Sequence, residues 1–311
     1  MNDDNADFSL PRDGPEYTES IFLRARNLIS TGIWADFEVS RLDGWISNFK
    51  DPLSKYFAAC VLDSFIYRSS HQTTALMDDV FDRNVRQLCV EDRFKPFDMN
   101  LRDYFSKELQ HDDTLDLIIV PVINNSDPPT KSGPLITRLL KRNLGLNEDL
   151  MTWPWNIERY MEDEGTKGVL FVDDMLGSGD QFEEFIECFD LAPIFDNIAC
   201  VYAPLLAHVK GIEKLSKKYN QLGLAPVEIL KESSNIFDSK FSVFNDGINN
   251  VAKAKKYYAA LLKKISFPYG KARRGYSDLG LTVSFQHAIP DNSLPILWWH
   301  SADNWKPLLD R

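Results

Sequence analysis

Residues 169–181 read Val-Leu-Phe-Val-Asp-Asp-Met-Leu-Gly-Ser-Gly-Asp-Gln and carry the most chemistry in this 311-residue chain. Apolar residues precede two adjacent acids, Asp173 and Asp174, and a turn of small residues follows at the start of a helical pattern. Such a turn offers free backbone N–H groups, and the helix dipole favours an anion beside them. Ser178 adds a hydroxyl donor. Carboxylates on neighbouring positions at a strand end can accept from a polyol's hydroxyls or meet a ligand that carries Mg2+. Phosphate in the turn and hydroxyls on the acids together describe a ribose 5-phosphate. The plainer alternative is a strand–turn–helix connection in which Asp and Ser only cap the helix.

The elements that must position these residues follow from hydrophobic periodicity. Leu115–Ile123, Gly168–Val172, Ile198–Ala203 and Val227–Leu230 are short branched apolar runs suited to buried strands. Helical patterns over 134–142, 181–189 and 208–219 alternate with them, which predicts a mostly parallel sheet with helices on both faces. Ligands of such sheets bind at the edge where the strands end. Before the sheet, 19–29, 53–67 and 73–88 read as amphipathic helices, with Asp51-Pro52 as a helix start. After it, a Lys-rich helix is predicted over 249–265, then a loop-rich tail with strands near 281–285 and 296–299. Three blocks are therefore expected: 1–113 helical, 114–248 the α/β core, and 249–311 a basic helix with an irregular extension.

The 169–181 segment resembles the binding signature of type I phosphoribosyltransferases. That resemblance implies an α/β fold with a mostly parallel, doubly wound sheet of the type I phosphoribosyltransferase kind, here with an N-terminal helical block and a C-terminal extension. It implies that Asp173 and Asp174 contact the ribose 2- and 3-hydroxyls and reach Mg2+ through the ligand. It also implies that Gly177, Ser178, Gly179, Asp180 and Gln181 cradle the 5-phosphate of phosphoribosyl pyrophosphate. Gln181 stands where the family usually has Thr or Ser, and Asp180 brings a negative charge to the turn. Phosphate binding then requires that Asp180 point away or cap the helix.

The family places a pyrophosphate loop after an earlier strand. The corresponding stretch is Asn124 to Gly133, so Lys131, Ser132, Gly133 and Arg138 are candidate ligand-binding residues; solvated loop cations are the alternative. A cation beside a leaving pyrophosphate would stabilise its growing charge. The helical block with Trp45 and Asn48-Phe49, the loop Asn-Asn-Ser-Asp-Pro-Pro-Thr-Lys-Ser-Gly and the closing Pro-Asp-Asn-Ser-Leu-Pro-Ile-Leu-Trp-Trp-His resemble phosphoribosyltransferase-like proteins of bacterial conflict systems. Some of those are encoded beside retron reverse transcriptases. The partners this implies are a ribose phosphate ligand, a reverse transcriptase with its msDNA or another defence protein, and a second copy of the chain.

Charge is uneven. The chain holds 46 Asp and Glu against 35 Lys and Arg, a net of −11, which argues against a general coater of nucleic acid. Residues 1–113 contribute −8 and 148–190 contribute −11, whereas 249–277 hold eight cations and no acid. Tyrosines are interleaved there, so Lys253 to Arg274 could contact phosphates and stack bases, or could be a solvated face. Lys271, Arg273 and Arg274 could instead fold over the acid pair and bind pyrophosphate. Cys60, Cys89, Cys188 and Cys200 show no CxxC pattern, and scattered buried thiols are expected. No apolar run approaches the length of a membrane span, and an acidic N-terminus unlike a signal peptide predicts a cytoplasmic protein.

Overall fold

The computed structural model describes residues 7–81, 117–162, 166, 168–240, 242–268, 270, 272–300 and 305–311. Lys271 and the end of the helix expected to reach Leu88 lie outside them. The chain divides into two compact units, one of residues 1–71 with 231–311 and the other of residues 72–230. Residues 1–71 of the first expected block and all of the last thus fall in one unit together with 231–248, and the division after His71 cuts the first block.

In the discontinuous unit, α1 (Gly14–Ser30), α2 (Val39–Ile46) and α3 (Pro52–Asp63) precede a short strand, β1 (Ile66–Arg68). Asp51 caps α3 as its sequence predicts: its carboxylate accepts the Ser54 N–H at 2.9 Å, and the Ser54 hydroxyl accepts the Asp51 N–H at 3.2 Å. The helix stops at Asp63, short of the predicted Tyr67, because 66–68 pair with a strand in the tail. The two distant chain segments share one core. Phe57 stacks on Phe244 at 5.1 Å, and the Trp45 indole N–H donates to the Ile296 carbonyl at 2.8 Å. A buried indole needs such an acceptor, so Trp45 ties the helical block to the tail. The predicted strand over 296–299 is a 3-10 turn at Pro295–Leu297 instead; Pro295 supplies no ladder N–H.

Helix α4 (Ser70–Asp79) crosses the division between units. The continuous unit then builds a sheet from β2 (Leu117–Pro121), α5 (Ser132–Leu144), α6 (Ile157–Met161), β3 (Gly168–Leu176), α7 (Asp180–Cys188), β4 (Ala199–His208) and α8 (Val209–Lys218), followed by β5 (Gly223–Leu224) and β6 (Glu228–Leu230). All pairings are parallel, in the order β2-β3-β4, with β5 and β6 both on β4. The pieces β5 and β6 keep one register against β4, with Val201 opposite Gly223 and Leu206 opposite Glu228. They are one strand interrupted at Pro226, which stands opposite Pro204; proline has no ladder N–H to give.

Strands β2, β3 and β4 are buried along nearly their whole length. Ile118, Val120, Val169, Phe171 and Tyr202 share a core with Phe182, Phe185 and Ile186 of α7 and Leu215 of α8. Alternate residues such as Ile119, Leu170 and Val172 are equally buried on the other side, and α5 packs on β2 and β3. This is an α/β fold with a parallel sheet and flanking helices.

A further α-helix of the discontinuous unit is α9 (Val251–Lys264), and β7 (Val283–Phe285) pairs with β1 in parallel. Cys60 and Cys200 are buried as expected, but Cys188, the last residue of α7, is exposed. Among the described residues no helix is long and apolar enough to cross a membrane.

Candidate functional site at the carboxyl end of the sheet

Strand β3 runs four residues past the predicted end at Val172, so both acids lie within it. Pairing with β2 ends at Pro121 and Val172, apart from one further bond from the Val122 N–H to the Val172 carbonyl at 3.1 Å. Pairing with β4 continues through Asp173–Pro204 to Leu176–Ala207. Asp173 and Asp174 therefore sit where β3 has lost one neighbour and kept the other. They are only 2% and 7% exposed.

The loop after β2 returns to this position. The Ser132 hydroxyl donates to Asp173 Oδ1 at 2.9 Å, and the same oxygen accepts the Asp174 N–H at 2.9 Å. Gly133 makes the approach feasible: a Cβ there would stand 2.6 Å from the Val122 carbonyl oxygen. Burial pushes the Asp173 carboxyl well above the usual carboxylate range, the charge of Asp174 adds to that, and the two hydrogen bonds oppose it. Tyr202 lies in the same buried field. Burial first, then the charges of Asp173 and Asp174, raise its phenol, and its ring stacks on Phe182 with centroids 3.8 Å apart.

The turn after β3 is tightly built. Gly179 has φ +89°, a left-handed conformation that a side chain resists, and Gly177, Ser178 and Gly179 are all buried. Helix α8 begins directly at the end of β4, with His208 Nδ1 accepting the Lys210 N–H at 3.2 Å. It presses against the turn, and a Cβ on Gly211 would lie 2.5 Å from the Gly177 carbonyl oxygen. The Ser178 hydroxyl donates to Asp180 Oδ2 at 2.7 Å, while Lys214 of α8 pairs with Asp180 Oδ1 and with Glu183 at 2.5 Å. Lys218 continues the row to Glu183 and to Glu187 at 3.0 Å.

The predicted site residues thus fall into groups. The structure brings Ser132 to Asp173 and holds Gly177, Ser178, Gly179 and Asp180 in one turn, with Gln181 exposed beside it. Lys131 turns back within its own loop, 3.7 Å from Asp127, whose carboxylate also accepts the Asn124 N–H at 3.0 Å. Arg138 is exposed on α5, about 9 Å of helix beyond Ser132. Arg273 and Arg274 belong to the other unit, where Arg274 pairs with Asp278. In that unit Lys253 donates to the Ile248 carbonyl at 2.8 Å and Lys256 pairs with Asp7 at 2.9 Å, so part of the basic helix is already engaged.

The PRTase-CE family profile matches residues 42–311. The chain belongs to the PRTase-CE family. No match is found among curated proteins. Among solved structures, orotate phosphoribosyltransferase from Aeropyrum pernix is 14% identical, with 51% of this chain and 71% of that chain covered and a TM-score of 0.29.

Lys214 of this PRTase-CE protein is the residue that motif reading missed. It lies 34 residues beyond Asp180, outside any linear signature. A signal existed in the spacing: Asp180, Glu183 and Glu187 form an acidic row on α7, and Lys210, Lys214 and Lys218 form a basic row on α8. Three further residues beside the same sheet were also missed. Met151 bridges Ile119 in parallel, and the stacked Trp153 and Trp155 that follow are 43% and 53% exposed, with ring planes 7° apart.

Proposed function

We propose that the sheet edge at Asp173 and Asp174 binds a ribose phosphate of the phosphoribosyl pyrophosphate type and transfers or breaks down its phosphoribosyl group. The observation that carries this reading is the burial of two adjacent acids where β2 leaves β3, with a small-residue turn and a helix start immediately after them. Membership of the PRTase-CE family supports it. The acids would accept the ribose hydroxyls, and the turn would receive the 5-phosphate. Ser132 would position Asp173 by donating to it. Breaking the bond from the anomeric carbon to pyrophosphate leaves charge on the departing oxygens, which needs cations or donors nearby.

Among the described residues no group of three or more His, Cys, Asp or Glu could hold a metal ion by itself. Two buried carboxylates with oxygen donors nonetheless fit Mg2+ that arrives with a ligand's phosphates, because this ion is commonly held by one or two carboxylates, substrate oxygens and water. Asp173 and Asp174 are the residues that would meet it, and Mg2+ there would neutralise charge on the pyrophosphate. The resemblance of the loop and tail segments to conflict-system proteins supports an effector role in anti-phage defence, in the cytoplasm, beside a reverse transcriptase with msDNA or another partner.

A second reading, sensing of ribose phosphate without turnover, is favoured by one observation: Asp180 already occupies the Ser178 hydroxyl. In that reading Lys253 to Arg274 would dock nucleic acid or a nucleoprotein. Phosphorus NMR of phosphoribosyl pyrophosphate with Mg2+ and the protein tests the first reading. Release of free pyrophosphate supports turnover; an unchanged spectrum with saturable binding supports sensing; neither turnover nor binding rejects both.

A further inference from the structure

The following rests on the reading of the turn after β3 as the place of a ligand's phosphate. We infer that Asp180 is a resident anion of that turn: its carboxylate holds the Ser178 hydroxyl and the Lys214 ammonium that a 5-phosphate would otherwise use, so phosphate enters only as Asp180 releases them.

Three observations converge on Asp180. First, both its oxygens are engaged by groups suited to a phosphate, one by the Ser178 hydroxyl at 2.7 Å and the other by Lys214. Second, the placement of Lys214 is built in. Gly211 leaves no room for a side chain between the turn and α8, and a Cβ on Gly179 would sit 3.3 Å from Lys214 Cδ. Third, further acids stand beside Asp180 on the same helix, since Glu183 pairs with Lys214 and Lys218, and Glu187 with Lys218. A phosphomonoester brings about −1.5 to −2 further charge. In a partly buried turn, repulsion by a carboxylate bound to the same donors is weakly screened.

An acid at the first position of a helix can also serve only the helix dipole. The two roles separate on substitution. Asp180→Asn keeps the size and a hydrogen-bond acceptor but removes the charge, and Glu183 remains to hold Lys214. A purely structural acid predicts a lower melting temperature and no gain in ligand affinity. A resident anion predicts tighter phosphate binding.

Isothermal titration of ribose 5-phosphate into wild-type protein, Asp180→Asn and Lys214→Met tests this, with circular dichroism checking that each variant is folded. Asp180→Asn should bind at least about tenfold more tightly than wild type, and Lys214→Met at least about tenfold more weakly. Wild-type binding with no gain in folded Asp180→Asn overturns the inference and leaves the ribose-phosphate reading standing. Lys214→Met binding as wild type does overturns it as well, and does not depend on Asp180→Asn folding. No binding by wild type or either variant rejects the ribose-phosphate reading itself, and the inference with it.

Discussion

Ser132 donates its hydroxyl to Asp173 Oδ1 at 2.9 Å, from the start of α5 to the stretch of β3 that β2 no longer flanks. This bond joins the loop after β2 to the acid pair and supplies a neutral donor to a carboxylate that burial disfavours. Ser132→Ala should cost about 1 kcal/mol of stability, the ordinary worth of one such bond. It should also raise the Asp173 carboxyl further, because this hydrogen bond is among the effects that lower it. Chemical denaturation of wild type and Ser132→Ala at neutral pH measures the first effect, and carboxyl-carbon NMR titration measures the second.

Asp173 makes stability depend on pH in a definite direction. Its carboxyl is raised in the folded protein by burial and by Asp174, so the folded state holds its proton over a range where the unfolded chain has lost it. Folding is therefore favoured at low pH by this group, and that advantage is lost as pH rises from the unfolded value of about 3.9 through the folded one. Asp173→Asn removes the titration. The melting temperature of Asp173→Asn relative to wild type should climb with pH over that interval, each unit of elevation being worth about 1.4 kcal/mol. A constant difference would contradict the assigned cause.

Asp51 gives the opposite sign in the other unit. Its carboxyl is lowered, first by the Ser54 N–H of the α3 cap. Its contribution is present above the unfolded value and fades as pH falls through the folded one. Asp51→Ala should cost about 1 kcal/mol at neutral pH and less in acid. Thermal melts of the two proteins across pH read the difference directly.

Gly133 has to be glycine for steric reasons. A Cβ at 2.6 Å from the Val122 carbonyl oxygen would push α5 away from β2, since the obstacle is backbone. Gly133→Ala should destabilise by about 1–3 kcal/mol, as overpacking does, and should lengthen the Ser132–Asp173 contact. Denaturation reads the loss; a crystal structure of the variant reads the contact.

What the sequence made legible follows from what periodicity and local chemistry can encode. Branched apolar runs located β2, β3, β4 and β6, and Asp51-Pro52 marked the start of α3. The acid pair and its turn were visible because they are contiguous. The continuation of β3 through Asp173 to Leu176 was hidden, because charged residues within a strand break the apolar pattern while β4 still supplies the ladder. Strand β7 lies within the expected 281–285, whereas β1 was obscured at the end of the helix expected over 53–67, because its pairing joins residues more than two hundred positions apart. Tertiary contact likewise decided the fate of Trp45, whose indole seeks a carbonyl in the tail and so places both chain ends in one unit. Lys214 is local to nothing in the motif and reaches Asp180 from α8, which Gly211 lets close on the turn.

The central claim is that the edge bearing Asp173 and Asp174 holds a phosphoribosyl ligand, and isothermal titration of phosphoribosyl pyrophosphate with Mg2+ tests it most directly. Wild type should show saturable binding, and Asp173→Asn/Asp174→Asn, still folded by circular dichroism, should bind at least about a hundredfold more weakly, having lost two charged acceptors. Absence of binding by wild type, or equal binding by the folded double variant, would contradict the account.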